Sequence, residues 1–335
     1  MKKLLVLLLA LSMVAGAFAQ ATVGGYVRVR GVIAEDAAYD EFDFTYVNRL
    51  RLNLGWTSED GNVHFAARLQ AEPAATGVAP LWTNFAFGRV RLADKMVVIS
   101  AGALWNTDYT LASGASEWYL GNVENNAELA DTFGEHQGML FQVLPVEGLS
   151  LGLMARPDGA ELSINQFDIY GRYTIEGIGN VVAHWAFNDP IEDEISASFQ
   201  FTGVEDLVVA VGYKANSGEN APLAGINDTD AIFGIVDYTI GDLTAEVAAE
   251  FNITDEWVYV EGFLRYDLAK DLFVLGTFAY DQDSVYLGGA VVANDSTYFV
   301  GLELQHTIGR AYLAVHLTYD DFAGFQIPLA VRVTF

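Results

Sequence analysis

The stretch Gly324-Phe325-Gln326-Ile327-Pro328-Leu329-Ala330-Val331-Arg332-Val333-Thr334-Phe335 alternates without a break. Phe325, Ile327, Leu329, Val331, Val333 and Phe335 fall on one side, and Gln326, Pro328, Ala330, Arg332 and Thr334 on the other. Side chains of an extended chain point alternately to opposite faces, so this period of two reads as a β-strand with one apolar and one polar face. The same reading holds elsewhere. Phe42, Phe44, Tyr46, Leu50, Leu52, Leu54 and Trp56 oppose Asp43, Thr45, Arg49, Arg51 and Asn53. Ile195, Ala197, Phe199 and Phe201 oppose Glu194, Ser196, Ser198 and Gln200.

Short turn signals punctuate the alternating runs: Glu59-Asp60-Gly61-Asn62, Asp94-Lys95, Glu147-Gly148, Glu176-Gly177-Ile178-Gly179, Glu205-Asp206, Gly241-Asp242, Lys270-Asp271 and Gly309-Arg310. Gly, Asp and Asn tolerate the left-handed backbone that tight hairpins need. Each interval between turns holds two strands and a longer connection. With the pairs at either end, the count predicts eighteen antiparallel strands in one all-β unit, residues 20–335. Within residues 281–296, Ser284 to Ala293 could extend a strand within a long loop or form a separate element, and sixteen is the fallback count. Two-faced strands suit a sandwich as well as a barrel. Short turns on one rim and long loops on the other favour a transmembrane up-and-down barrel.

Composition agrees. Hydrophobic residues make up 52% of a chain with 17 Lys and Arg against 44 Asp and Glu, a net charge of −27. A soluble domain would have to bury nearly all of that apolar surface, whereas a membrane barrel displays it. The acidic balance excludes nucleic acid as a partner, since that needs a basic footprint. Lys2 and Lys3, the apolar run Leu4 to Val14 and Ala17-Phe18-Ala19 read as a secretory signal peptide over residues 1–19. No later run is long and apolar enough for a transmembrane helix. There is no cysteine, hence no disulfide or lipid-anchored thiol.

The arginines identify the interior. Arg28 and Arg30 share one strand face, as do Arg49 and Arg51, and Arg89 and Arg91; Arg68 lies on its polar face and Arg332 on that of the last strand. Val27 and Val29, Leu50 and Leu52, and Val90 and Leu92 take the opposite faces. An arginine on the lipid side near the midplane costs ~2–4 kcal/mol, so these eight should face a water-filled lumen. The longest connection, Trp105 to Gln137, follows the fifth strand and carries Asp108, Glu117, Glu124, Glu128, Asp131 and Glu135.

Strand pattern, basic wall and long fifth-strand loop together resemble the general porins of Gram-negative bacteria. That family's Pro-Glu-Phe-Gly-Gly loop motif is absent. The resemblance implies a bacterial outer-membrane channel for passive diffusion of small hydrophilic solutes and ions. It also implies a loop 105–137 folded into the lumen against the arginines, and a homotrimer. The net charge adds an expected weak preference for cations. The terminal Phe335, after alternate apolar residues, resembles the strand signal that outer-membrane proteins show to the barrel-assembly machinery. Membrane lipids are the remaining expected partner.

Catalytic chemistry finds no support. His64, His136, His184, His306 and His316 are scattered without metal spacing, and no nucleophile elbow, phosphate loop or EF-hand occurs. Asn227-Asp228-Thr229-Asp230, Asp281-Gln282-Asp283 and Glu192-Asp193-Glu194 could take up Ca²⁺ but read better as hydrated loop charges, so no cofactor is expected. Two other functions fit a barrel: a sugar-selective channel with Trp105, Trp118 and Tyr119 as a stacking surface, or an adhesin or structural barrel displaying acidic loops.

Overall fold

The computed structural model describes residues 21–36, 41–71, 82–105, 135–156, 167–187, 194–216, 229–254, 256, 258–282, 296–320 and 324–335. They form strands and turns and no helix. The strands are β1 (Thr22–Asp36), β2 (Glu41–Thr57), β3 (Val63–Ala71), β4 (Trp82–Leu92), β5 (Val97–Trp105) and β6 (Glu135–Val146). They continue as β7 (Leu149–Ala155), β8 (Phe167–Ile175), β9 (Gly179–Ala186), β10 (Glu194–Val204), β11 (Leu207–Asn216) and β12 (Thr229–Ile240). The last six are β13 (Leu243–Asn252), β14 (Val258–Ala269), β15 (Leu272–Asp281), β16 (Thr297–Ile308), β17 (Ala311–Asp320) and β18 (Gly324–Thr334). Each pairs antiparallel with its neighbours in sequence, and β1 pairs with β18, which closes an eighteen-stranded sheet into a barrel. Sixteen strands is therefore set aside.

The eight turns anticipated from Gly, Asp and their neighbours are the eight connections of one rim. Left-handed backbone occurs where it was needed, at Gly61, Gly148, Gly177, Asp206, Gly241 and Gly309. The turn before β5 runs left-handed through Ala93, Asp94 and Lys95 in succession. The first turn holds itself together. Ser58 donates its hydroxyl to Asp60 Oδ1, Asn62 donates both its backbone and side-chain N–H groups to the Asp60 carboxylate, and the Val63 N–H bonds Ser58 Oγ. At the same rim Gly25 and Phe335 exchange two backbone hydrogen bonds of 3.1 and 3.0 Å, so the last residue is tied to the first strand.

The outer face is an apolar belt. Val27, Val29, Leu50, Phe65, Val211, Leu264, Leu302, Leu313, Val315, Val331 and Val333 are all exposed. Aromatics rim it, with Tyr173, Tyr238, Tyr266 and Phe335 toward the turns and Tyr213, Phe251, Tyr280, Tyr298 and Tyr319 toward the loops. Rings at both edges of an apolar band suit the water–lipid boundary. The backbones of Phe42, Phe44 and Tyr46 lie in β2, but their side chains are outside the described set.

Candidate functional site

On β18, β1, β2, β3 and β4 the arginines occupy the face opposite the exposed apolar belt. Pairing brings them into one sector. Arg28 stands directly across from Arg49 on one side and Arg332 on the other. Three like charges in a row would repel across strands, and aromatic faces offset this. The Tyr26 ring lies between Arg332, 4.4 Å from its centroid to the guanidinium carbon, and Arg51 at 5.3 Å; Arg332 also reaches Tyr312 at 5.6 Å. Arg68 covers Phe85 at 4.8 Å and Arg89 covers Phe87 at 5.5 Å. A ring's electron-rich face stabilises a nearby cation. Neutral oxygens fix the orientation: Arg51 Nε donates to Gln70 (2.8 Å), Arg68 Nε to Asn53 (3.0 Å), Arg89 Nε to Ser100 (3.0 Å) and Arg91 to the Gly61 carbonyl (2.9 Å). Arg30 lies two residues along β1 from Arg28, with its pairing partner Val47 on β2.

The acidic counterpart lies in the wall. Asp237 on β12 is paired directly across from Glu246 on β13, and Glu261 follows on β14, where the Tyr259 hydroxyl donates to it at 2.7 Å. Glu303 on β16 faces His316 on β17 at 3.7 Å, both side chains wholly buried. In a ring of eighteen, β3 and β12 stand diametrically opposite, as do β4 and β13. Arg68 and Arg89 are thus set across the interior from Asp237 and Glu246.

An apolar sector joins these two walls. Phe87, Leu104, Leu140, Met154, Tyr170, Val182, Phe233 and Ile235 form one buried cluster across β4 to β12. Within it Tyr170 stacks on His184, with centroids 4.7 Å apart and planes 11° apart, and donates to Asp168, which Arg156 bridges at 2.7 Å. Inward side chains are closed to solvent in several sectors, at Tyr26, Leu140, Val182, Glu246, Leu275 and Glu303.

Sequence reasoning placed the opposing carboxylates on the long connection. Asp108, Glu117, Glu124, Glu128 and Asp131 lie outside the described residues, as does the side chain of Glu135, and so do residues 1–19 and most of loop 105–137. The wall carboxylates Glu246, Glu261 and Glu303 were missed. Their signal was present: each alternates with outward apolar neighbours, as Glu303 does between Leu302 and Leu304. The apolar sector was missed as well, because the inward face was expected to be polar. In β12 both faces are apolar, with Ile232 and Val236 outward and Phe233 and Ile235 inward. Among the described residues no group of three or more His, Asp or Glu side chains is arranged to hold a metal ion.

No family model matches the chain, and no curated protein matches it in sequence. Solved structures do. The structure of OccK2 (OpdF) of Pseudomonas aeruginosa, in complex with glucuronate, superposes with a TM-score of 0.63 at 12% identity, covering 95% of this chain and 98% of that one. The outer-membrane protein OpdK of the same organism gives 0.64 at 11%, covering 95% and 99%. A mutant porin of Rh. blastica gives 0.56 at 16%, covering 94% and 100%. At these identities the likeness speaks to architecture: in fold, the chain is a closed antiparallel β-barrel of the outer-membrane porin kind.

Proposed function

We propose that the chain is a porin of a bacterial outer membrane, passing small hydrophilic solutes and ions by passive diffusion with a weak preference for cations. One observation carries the reading: arginines on β3 and β4 stand across the ring from Asp237 and Glu246 on β12 and β13. Opposed charges across an interior create a transverse field. Such a field favours hydrated solutes that align their dipoles in it and disfavours apolar ones, a filter rather than a chemistry. The cation preference follows from the charge of −27, which sets the sign of the long-range field; the arginine sector opposes it locally. Delivery by the barrel-assembly machinery through Phe335 and a trimeric assembly belong to the same proposal.

A second reading, a substrate-selective channel, draws support from the apolar sector between the two charged walls. A solute with one apolar face would be held there, where a small inorganic ion would not. OccK2, a similar fold, was solved with glucuronate bound.

Current through planar bilayers tests the proposal. Purified protein should give steady single-channel steps. Replacing Arg49, Arg51 and Arg89 with serine should raise the cation preference and leave conductance equal or higher. The comparison belongs below 0.1 M salt, because charge is screened over ~10 Å at that strength and ~3 Å at 1 M. Absence of steps refutes the channel. Steps with unchanged selectivity would remove these arginines from the narrowest part of the path.

A further inference from the structure

The turn rim is acidic over much of its circumference, with Glu59, Asp60, Glu205, Asp206 and Asp242 exposed and Lys270 and Arg310 as relief. One segment differs. Between the turns that follow β4 and β6, a cavity of about 690 Å³ opens from the inner wall to the rim, lined by Arg89, Arg91, Lys95 and Arg172 against two carboxylates, Asp94 and Glu147. Four cations against two anions is a local excess of positive charge in a chain of net −27. The volume falls within the ~300–1,000 Å³ of small-molecule sites.

The cations are positioned as well as gathered. Arg89 Nε is held by the Ser100 hydroxyl, Arg91 by the Gly61 carbonyl and Arg172 by the Asn180 side chain at 3.1 Å. Asn180 is itself fixed by Thr174 (2.8 Å) and Gln200 (3.1 Å). These three guanidinium contacts are to neutral oxygens, which orient a guanidinium. Three oriented planar forks and one flexible ammonium match an anion that carries several oxygens. Met96, Val98 and Leu144 give the cavity an apolar flank on which a carbon skeleton can lie.

We infer that this turn-side cavity is a binding site for multivalent oxyanions, a station that holds polycarboxylate or phosphate groups at one mouth of the barrel. The site needs the folded barrel but does not depend on the channel reading.

Equilibrium dialysis of labelled citrate, and separately of inorganic phosphate, against the full-length barrel in uncharged detergent tests it at ionic strength below 0.1 M. At least one of the two should bind saturably, one per chain. Binding of citrate alone identifies an organic acid as the source of the chemistry, and binding of phosphate alone an inorganic or phosphoryl oxyanion; both support the site. Arg172→Ser should weaken binding roughly tenfold or more, since hydrogen bonds to charged groups are the strong ones. Lys95→Ser, on the exposed turn where it leaves the wall intact, should weaken it less. Lys270→Ser, on a distant turn, should change nothing. No saturable binding of either anion, or binding undiminished in both Arg172→Ser and Lys95→Ser, overturns the inference. Because no current is read, failure here leaves the channel proposal standing, and the reverse.

Discussion

Leu302 is the side chain whose replacement asks most directly whether the outer face meets lipid. It sits in β16, five residues from Thr297 and six from Ile308, exposed between Val300 and Leu304 and paired with the exposed Leu317. At about 3.4 Å per residue and a tilt of about 40°, those spans put it roughly 13 Å from the loop end and roughly 16 Å from the turn end. That is the middle of an apolar band about 25 Å tall. Leu302→Arg should therefore cost about 2–4 kcal/mol, roughly 30- to 1,000-fold in the folding equilibrium. Tyr266 is also outward but only three residues from the end of β14, among the rim aromatics. There the same substitution should cost about 0–1 kcal/mol. Reversible guanidinium unfolding from phospholipid vesicles, followed by tryptophan fluorescence, gives both numbers. If Leu302→Arg costs no more than Tyr266→Arg, the apolar belt is not a lipid-facing surface and the transmembrane assignment fails.

Three further outcomes are expected. A Cβ at Gly301 would run into Nε2 of buried His316 and Oγ1 of Thr277, so Gly301→Ala should destabilise by about 1–3 kcal/mol, and pairing it with His316→Ala should recover part of the loss; an unchanged unfolding midpoint would contradict that packing. Hydrogen bonds from the Ser58 hydroxyl, and then from the N–H groups of Asn62, hold the Asp60 carboxyl below its ordinary value of 3.8. A lowered folded value means the turn's extra stability is present above that ordinary value and is lost as pH falls through the lowered one. Hydrogen-exchange protection factors at Asn62 and Val63 should fall on acidification below about pH 4 and should stay unchanged over that range in Asp60→Asn. Deleting Phe335 should leave protein in the periplasm, read by fractionation, because the last strand would lack its terminal aromatic; normal membrane levels would argue that the assembly signal lies elsewhere.

Strand number and order were legible because turn chemistry is local. Gly61, Gly148, Gly177, Gly241 and Gly309 mark positions where the backbone turns left-handed, and a hairpin needs little else. Parity was legible too: Leu50 and Leu52 outward put Arg49 and Arg51 on the other face whatever the neighbouring strand does. What depends on register was not. Asp237 lies opposite Glu246 only through the pairing that the two-residue turn at Gly241-Asp242 imposes, a step the reading of that turn did not carry through. The irregularity between Arg68 and Leu69 in the β3–β4 pairing is likewise silent, because a bulge shifts the partner without interrupting the sequence pattern. The apolar inner sector escaped because alternation detects contrast, and residues 231–236 of β12 have none.

Consider finally the seam where β1 meets β18. Every pairing but this one joins consecutive strands, so the wall is a set of short-range contacts plus a single contact that links opposite ends of the chain. Low average separation favours growth hairpin by hairpin, with closure entropy rising only slowly with the length enclosed. At the seam Gly25 and Phe335 already exchange hydrogen bonds, and the Arg332–Tyr26–Arg51 stack can form only after they meet. A circular permutant that joins Phe335 to Ala21 and opens the chain between Gly241 and Asp242 would keep every ladder of the wall, yet its chain would end at Gly241 rather than on a phenylalanine. On the assembly signal proposed for Phe335, such a molecule would uncouple two properties that share one strand here: durability, which belongs to the ring, and recognition by the insertion apparatus, which the proposal assigns to the terminal phenylalanine.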